Sequence, residues 1–419
     1  MNHTIISLAL IFFQLTTTAL VVGFTSREHL FLRAIGSVPQ GFSAYHQIVF
    51  LCSHISNPVN RAFLGAASVF LVILYVDAAI LSRWTFASQS PTSSLGGLIP
   101  PTTRDTPKTQ NNATTAETSA SFLRKLSFGF LIALQSRFPA TPWAVPRLPP
   151  FHKADPKHTP TKSAFLLKNT TKCLVYLLLL RATSGLGNPD DNPVVFASDR
   201  IPLFSRLGDK GPGGITLSEI GTRVGAVMGY WAIQYAVIDL LYSLLAVVAV
   251  SLHLTDVKGW VPVFGSVSDA RGVRLFWGQF YHQLVRQGCS SIAHYITYFI
   301  LRFRKDSGSL AARYVFMTLV FAVSGVFHTL SDVSQGIPLG ESGAMRFFVL
   351  QAIGIMLEDG FQAIVSRRRQ SGHHGRGKLE RVLGSVSGPV WLVTWLTWTS
   401  PGWIYMSLQR DRGVPIIPF

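Results

Sequence analysis

Tyr314-Val315-Phe316-Met317-Thr318-Leu319-Val320-Phe321-Ala322-Val323-Ser324-Gly325-Val326-Phe327-His328-Thr329-Leu330 is the stretch that decides the fold class of this chain. It contains no Lys, Arg, Asp or Glu, and as a helix it spans about 25 Å of a hydrocarbon layer roughly 30 Å thick. An imidazole near the end of such a run is costly, so it is usually kept for chemistry or for a specific buried partner. Working outward, further apolar runs are Ala344–Val365 and Pro389–Met406 downstream, with Ile5–Phe24, Ala62–Leu81 and Val224–Val250 upstream. Asp77 and Asp239 interrupt two of them. Ala164–Leu180 carries Lys168 and Lys172, so its first half is expected at the headgroups while Cys173–Leu180 dips inward. Leu126–Leu134 is too short to cross and is expected at the interface. Gln287–Leu301 is about 22 Å long as a helix, a tilted span or a re-entrant segment. The pattern predicts an all-α integral membrane protein, a polytopic bundle of about seven or eight transmembrane helices. No internal repeat signals a transporter built from two related halves.

Composition agrees: 48% of the 419 residues are hydrophobic and 14% charged, where a soluble domain carries about a quarter charged. The net charge of +17 lies in short loops between the apolar runs. There it sets topology and meets anionic headgroups, so the bilayer and not nucleic acid is the expected partner. Ile5–Phe24 has neither a basic leading region nor an Ala-x-Ala-like cleavage site, and reads as an uncleaved anchor. Residues 1–84 form N-terminal transmembrane segments, residues 85–121 a flexible Ser/Thr/Pro-rich loop, and residues 122–419 the membrane core. Cys52, Cys173 and Cys289 have no paired or metal-type spacing. His373-His374 is the one close histidine pair, in a Gly/Arg-rich loop, which argues against the histidine clusters of a di-iron enzyme and against a catalytic metal. Sequons begin at Asn2, Asn112 and Asn169.

The loops Arg302–Arg313 and Arg367–Arg381 are basic, whereas Ser331–Gly343 holds Asp332 and Glu341 without a cation. The first two are expected to be cytosolic and the third lumenal. This places His328 near the lumenal end of its span. Access for a cytosolic reactant then requires a tunnel, or a Ser331–Gly343 segment that folds back into the protein.

Two stretches carry the chemistry. Ser324, His328 and Asp332 fall at i, i+4 and i+8, one stripe of a helix, with Gly325 opening room for a ligand or another backbone. An Asp one turn beyond a His suits a base and its orienter. In Phe276-Trp277-Gly278-Gln279-Phe280-Tyr281-His282-Gln283, the residues Gln279, His282, Gln283 and Arg286 recur at helical spacing. Trp277 and Tyr281 form an aromatic ridge suited to an interface. Arg271, Arg274 and Arg286 are candidates to meet phosphates of a polar acyl carrier. Cys289 is nearby, but a lone Cys is more often a small buried hydrophobe.

At Phe276-Trp277-Gly278…His282-Gln283…Arg286 and Ser324-Gly325…His328 the chain resembles the wax-synthase-like branch of the membrane-bound O-acyltransferases, fungal acetyltransferases of terpenoid and meroterpenoid pathways in particular. Arg137-Phe138-Pro139-Ala140-Thr141-Pro142-Trp143 is similar to that family's Arg-Gly-Ile-Gly-Thr-Pro-Trp stretch, with Phe138-Pro139-Ala140 where Gly-Ile-Gly is usual. Gln279-Phe280-Tyr281 stands where many relatives carry arginines and a Trp. The resemblance covers roughly residues 130–405. It implies transfer of an acyl group from a coenzyme A thioester to an alcohol inside a membrane, the endoplasmic reticulum being the expected one. Acetyl-CoA is the implied cosubstrate, with no bound cofactor, and a hydrophobic alcohol of secondary metabolism the implied acceptor. His328 is then the candidate base, with His282 and Asp332 beside it as catalytic candidates. Trp277, Gln283, Arg286 and Arg274 would bind the coenzyme, and Ser324 and Gly325 would line the acceptor pocket. A long-chain or sterol acyltransferase and a transporter of a hydrophobic metabolite are the competing readings.

Overall fold

The computed structural model describes residues 3–93, 95–96, 122–183, 188–208, 211, 213–305, 308–370, 378–410 and 413. Its α-helices of six residues or more are α1 His3–Phe24, α2 Leu30–Ile35, α3 Ser37–His46, α4 Pro58–Tyr75 (continued by a π turn over Val76–Leu81), α5 Phe122–Leu134, α6 Lys162–Thr183, α7 Leu217–Ser251, α8 Arg286–Tyr295, α9 Leu310–Ser334, α10 Ala344–Gln370, α11 Lys378–Thr399 and α12 Pro401–Gln409. Among the described residues there is no strand, only an isolated bridge between Thr85 and Ser90. Starts are written locally. Asn57 accepts from Val59 N and Asn60 N ahead of Pro58, Thr216 accepts from Glu219 N, and Ser309 accepts from Ala312 N. The protein is an integral membrane protein. Six described helical segments are long and apolar enough to cross a bilayer: His3–Phe24, Pro58–Leu81, Lys162–Thr183, Leu217–Ser251, Leu310–Ser334 and Ala344–Arg367.

Six is fewer than the seven or eight expected, and two segments account for the difference. Gln287–Leu301 falls in a helical segment that is too short: α8 has 10 residues and the π turn that continues it over Ile296–Ile300 adds 5. Pro389–Met406 breaks at Ser400, where Pro401, lacking an N–H, starts α12 afresh. In the other direction, Leu30–Leu51 had no apolar period to mark it, yet it folds as α2, α3 and a π turn. The sequons at Asn2 and Asn112, the pair His373-His374 and residues 97–121 of the expected loop lie outside the described residues. The first part of that loop is held in place: Thr92 N and Ser93 N donate to Ser82 O, and Thr85 and Ser93 are buried.

The chain divides into two units, residues 1–145 with 283–345 and residues 146–282 with 346–419. The division falls between His282 and Gln283, inside one of the two informative motifs.

In the first unit α1 packs along α5, and α4 packs on α3 and α9. Arg33 sits at the centre, 0% exposed. Its guanidinium donates to Thr25 O, Ser26 O, Ala79 O and Trp84 O at 2.9–3.2 Å, and Tyr75 OH donates to Arg33 O at 2.5 Å. These carbonyls follow α1 and end the turn after α4, where orphan acceptors need donors. Burial lowers the guanidinium to about 10, which leaves it cationic at neutral pH.

The stretch that resembles Arg-Gly-Ile-Gly-Thr-Pro-Trp gives a physical reason for those glycines. Phe138 and Ala140 both have left-handed backbone, at φ 49° and 58°, which costs a non-glycine residue ~1–2 kcal/mol. Phe138 is compensated. It is 4% exposed and stacks on Trp84 at 4.8 Å, an arrangement worth ~0.5–1.5 kcal/mol beyond the area buried. Ala140 is exposed and has no such return. Ala140→Gly is therefore expected to stabilise the protein by ~1 kcal/mol, read as a raised melting temperature in detergent. An unchanged or lower value would contradict this account.

In the second unit α6 and α7 pair along their lengths. The clusters Phe165 with Ala246 and Val250, and Cys173 and Leu180 with Ala236 and Leu240, make the pair antiparallel. Lys172 does not place the start of α6 at the headgroups, as its charge suggested. It forms an ion pair with Asp239 at 2.8 Å, and Tyr176 OH donates to the same carboxylate at 2.9 Å. Pairing inside the membrane neutralises both charges, so α6 runs unbroken. Asn169 likewise lies inside α6, its amide donating to Phe165 O at 2.9 Å, and so offers no surface loop for a glycan.

Beyond α7 the chain folds back along that helix. Phe165, Val250 and Val257 share one cluster, Tyr242 OH donates to Val261 O, and Phe264 meets Tyr235 at 4.1 Å between ring centres. It then returns to Asp269, which pairs with Lys153, before descending again through Phe276–Phe280.

Candidate functional site

Ser324, Gly325, His328 and Asp332 all lie on α9 at the predicted spacing. Ser324 and Gly325 are buried, His328 is half-buried, and Asp332 is 4% exposed. Phe327, beside His328, joins a core cluster with Ile48, Val69 and Ile73, against which Val285, Ile292, Leu330 and Val333 pack. The imidazole thus stands at the edge of an apolar wall, in ring contact with Phe327 at 4.8 Å. A carboxylate in the last turn of a helix opposes the dipole there. Asp332 is stabilised by Ser342 Oγ, which donates to its Oδ2 at 2.6 Å. Its carbonyl also accepts from Gln335 N and Ile337 N. Ile337 and Ala344 are buried. Ser331–Gly343 therefore packs its two ends against the end of α9, while Pro338, Leu339, Gly340 and Glu341 between them are exposed.

Gly325 makes a close approach, and its neighbour is protein. A Cβ there would meet Met345 Cα and Sδ at 3.0 Å. Of the two occupants allowed beside Gly325, another backbone is the one present. Gln283 and Arg286 belong to the same unit: Gln283 is buried, and Arg286 opens α8, which packs on α9. Gln287, the next residue, donates to Asp77 Oδ2 at 3.3 Å and to Ser291 Oγ at 2.8 Å, while Ser82 Oγ donates to Asp77 Oδ1 at 2.7 Å. Asp77, first noted as an interruption, anchors the start of this segment. Cys289 is fully buried and its thiol is pushed up to about 12 by desolvation, which removes it as a nucleophile at neutral pH. His294, overlooked in the sequence, is buried beside Leu95 O at 3.2 Å. Desolvation, and then Lys305, lower its pKa.

Arg274, Trp277 and His282 belong to the second unit, and there the helical-spacing reading fails. Phe276–Phe280 is a π turn, closed by Tyr281 N donating to Phe276 O at 2.7 Å. Tyr281 is extended, at φ −73° and ψ 154°, and regular helix resumes only at Arg286. Two constraints hold the turn open: Gly265 N donates to Phe280 O at 2.8 Å, and Phe280 stacks on Tyr235 at 6.1 Å. The aromatic ridge of Trp277 and Tyr281 does form, at 5.4 Å, but it faces inward. Trp231 of α7 lies edge-on to Phe276, Trp277 and Tyr281, and Phe347 and Trp403 complete the cluster. Burial raises the Tyr281 hydroxyl well above its ordinary value, so it stays protonated. Trp277 Nε1 donates to Gln351 Oε1 at 3.2 Å, and Gln351 donates in turn to Phe347 O and Thr399 Oγ1. His282 packs edge-on to Phe264 at 5.9 Å. Arg274 is not a cation awaiting a phosphate, because its guanidinium pairs with Asp359 and its backbone N donates to Glu358 Oε2 at 3.2 Å. The Trp231, Gln351 and Asp359 partners had no local signal; each lies on a helix at a separation that one sequence does not encode.

Comparison with known proteins decides the family. The chain is 34% identical over 358 residues to acetyltransferase aurG of Calcarisporium arbuscula, covering 83% of this chain and 79% of that one. The chain belongs to the membrane-bound O-acyltransferase family. The sequence model described as "Membrane bound O-acyl transferase family" matches residues 260–350, which include the π turn and His328. Acetyltransferase ataH of Aspergillus terreus is 34% identical over 249 residues, 58% of this chain and 78% of its own. Acetyltransferase atnC of an Arthrinium species is 27% identical over 409 residues, 94% and 86% of the two chains. No solved structure matches. The acyltransferase is thus an enzyme of a family whose relatives act on acyl groups, and an acyl donor and a lipid environment follow from that membership.

Proposed function

We propose that this acyltransferase moves an acetyl group from acetyl-CoA to a hydroxyl of a hydrophobic terpenoid or meroterpenoid intermediate, in the endoplasmic reticulum membrane. The observation that carries this reading is the 34% identity to a fungal acetyltransferase across 83% of the chain. His328 is the general base: its imidazole takes the proton from the acceptor hydroxyl as that oxygen attacks the thioester carbonyl. The carbon–sulfur bond then breaks, and coenzyme A leaves as the thiol with the proton returned to sulfur. Asp332, one helical turn along and steadied by Ser342, orients the imidazole and stabilises its cationic form. The apolar wall around Phe327 excludes water, which would otherwise compete with the alcohol. Gln283, buried in the same unit as His328, is the donor assigned to the thioester carbonyl. No acyl-enzyme is needed, in keeping with the buried Cys289 thiol.

The test is a donor panel with the protein in nanodiscs and a polycyclic alcohol as acceptor. Acetyl-CoA is expected to support transfer at least tenfold faster than palmitoyl-CoA. The reverse order would favour a long-chain acyltransferase.

A further inference from the structure

We infer that Met345 sets the size of the acyl group that can lie against His328, and so selects acetyl over longer chains. This rests on the acetyl-CoA reading above and names the residue behind the choice of donor. Around α9, at 3.6 residues per turn, Gly325 lies about 60° to one side of His328 and Phe327 about 100° to the other. The imidazole therefore stands between two flanks, both within the first unit.

The Phe327 flank is fixed. Phe327 is buried with Ile48, Val69 and Ile73, whose branched side chains are stiff. The Gly325 flank is built differently. Having no side chain, Gly325 leaves its place to Met345: a Cβ there would meet Met345 Sδ at 3.0 Å and Cε at 3.5 Å. The backbone that carries Met345 is held. Ala344 beside it is 0% exposed and its N donates to Ser342 Oγ at 3.4 Å, the same hydroxyl that donates to Asp332. The Met345 side chain, by contrast, is 37% exposed and turns about three bonds. One flank is thus rigid, and the other is a single flexible thioether laid over a glycine.

The geometry of direct transfer decides which reactant meets that thioether. The acceptor oxygen must be within hydrogen-bond reach of the imidazole and ~3–3.5 Å from the thioester carbonyl carbon. The acyl chain begins at that carbon, so it has to fit beside the imidazole. A polycyclic acceptor needs to present only its hydroxyl there, with its rings kept to the exposed side of the half-buried His328. A methyl group rests against the thioether, whereas each further methylene has to displace it. One methylene in an apolar pocket discriminates by ~10–200-fold.

The experiment measures kcat/KM for acetyl-, butyryl- and palmitoyl-CoA, using full-length protein in nanodiscs with a polycyclic alcohol as acceptor. Met345→Ala removes three side-chain atoms, room enough for the two carbons that butyryl adds. It is expected to raise the butyryl-to-acetyl ratio about tenfold or more. Met345→Leu keeps the number of side-chain atoms and should keep the wild-type ratio. A role confined to packing α9 against the start of α10 would lower transfer from every donor alike, so equal losses would overturn the inference. So would a changed preference between a bulky and a slim alcohol with the donor order intact, since Met345 would then face the acceptor. If wild-type protein prefers acetyl-CoA and Met345→Ala keeps its donor ratio, only this inference fails. If wild-type protein prefers palmitoyl-CoA or transfers from no donor, the acetyltransferase reading itself fails.

Discussion

Replacing His328 with Ala is expected to lower acyl transfer by about 10²- to 10⁴-fold, the usual contribution of a positioned general base. The expectation follows from placement. His328 is half-buried on α9, with an apolar wall on the Phe327 side and Asp332 one turn further along. A second role for the same residue is helix-end hydrogen bonding, and the two separate by substitution. Gln keeps hydrogen-bonding capacity but cannot accept and return a proton at neutral pH. His328→Gln should therefore be as inactive as His328→Ala, while both accumulate in microsomes at wild-type level. Recovery of near-normal turnover in the Gln variant would assign His328 to structure. Asp332→Asn is the graded companion: it preserves shape and the contact with Ser342 while weakening support for the imidazolium, so a smaller loss is expected than for His328→Ala.

Arg33→Met is expected to prevent folding outright. Four carbonyls, Thr25, Ser26, Ala79 and Trp84, accept from this one side chain, and of these Ser26 O has a second donor in His29 N. Leaving a buried acceptor without a partner costs ~1–3 kcal/mol each. Several such losses rival the ~5–15 kcal/mol that holds a domain folded. Methionine fills comparable volume, so the effect reports on the hydrogen bonds and not on a cavity. Arg33→Lys retains the charge but has no planar fork, and should yield folded protein with a lowered melting temperature. Size-exclusion chromatography in mild detergent is the readout. A monodisperse Arg33→Met protein melting close to wild type would show that the site is dispensable.

The legible parts of this molecule were those encoded within one helix. Hydropathy is a local property, so the runs at Ile5, Ala62, Val224, Tyr314 and Ala344 were found from composition alone. The stripe Ser324, His328, Asp332 was readable because helical spacing needs no partner. What failed depended on residues far away in sequence. Lys172 looked like a headgroup residue because its partner Asp239 lies sixty-seven positions on. Arg274 looked like a phosphate contact because Asp359 is eighty-five positions away. The motif from Gln279 to Arg286 looked helical because periodicity does not reveal a π turn, which is imposed here by Gly265 and Tyr235. Phe138 and Ala140 were visible only as departures from a glycine pattern; their left-handed backbone supplies the physical reason for that pattern.

The central claim is that this membrane acyltransferase acetylates a hydrophobic alcohol with His328 as base. Metabolite profiling of a strain lacking the gene, complemented with wild-type protein or with His328→Ala, tests it most directly. Wild-type protein should restore the acetylated product, while the deletion and the His328→Ala strain should both accumulate the unacetylated alcohol inside cells. Normal levels of intracellular acetylated product in the deletion strain, with loss only of its export, would contradict the account and point to transport.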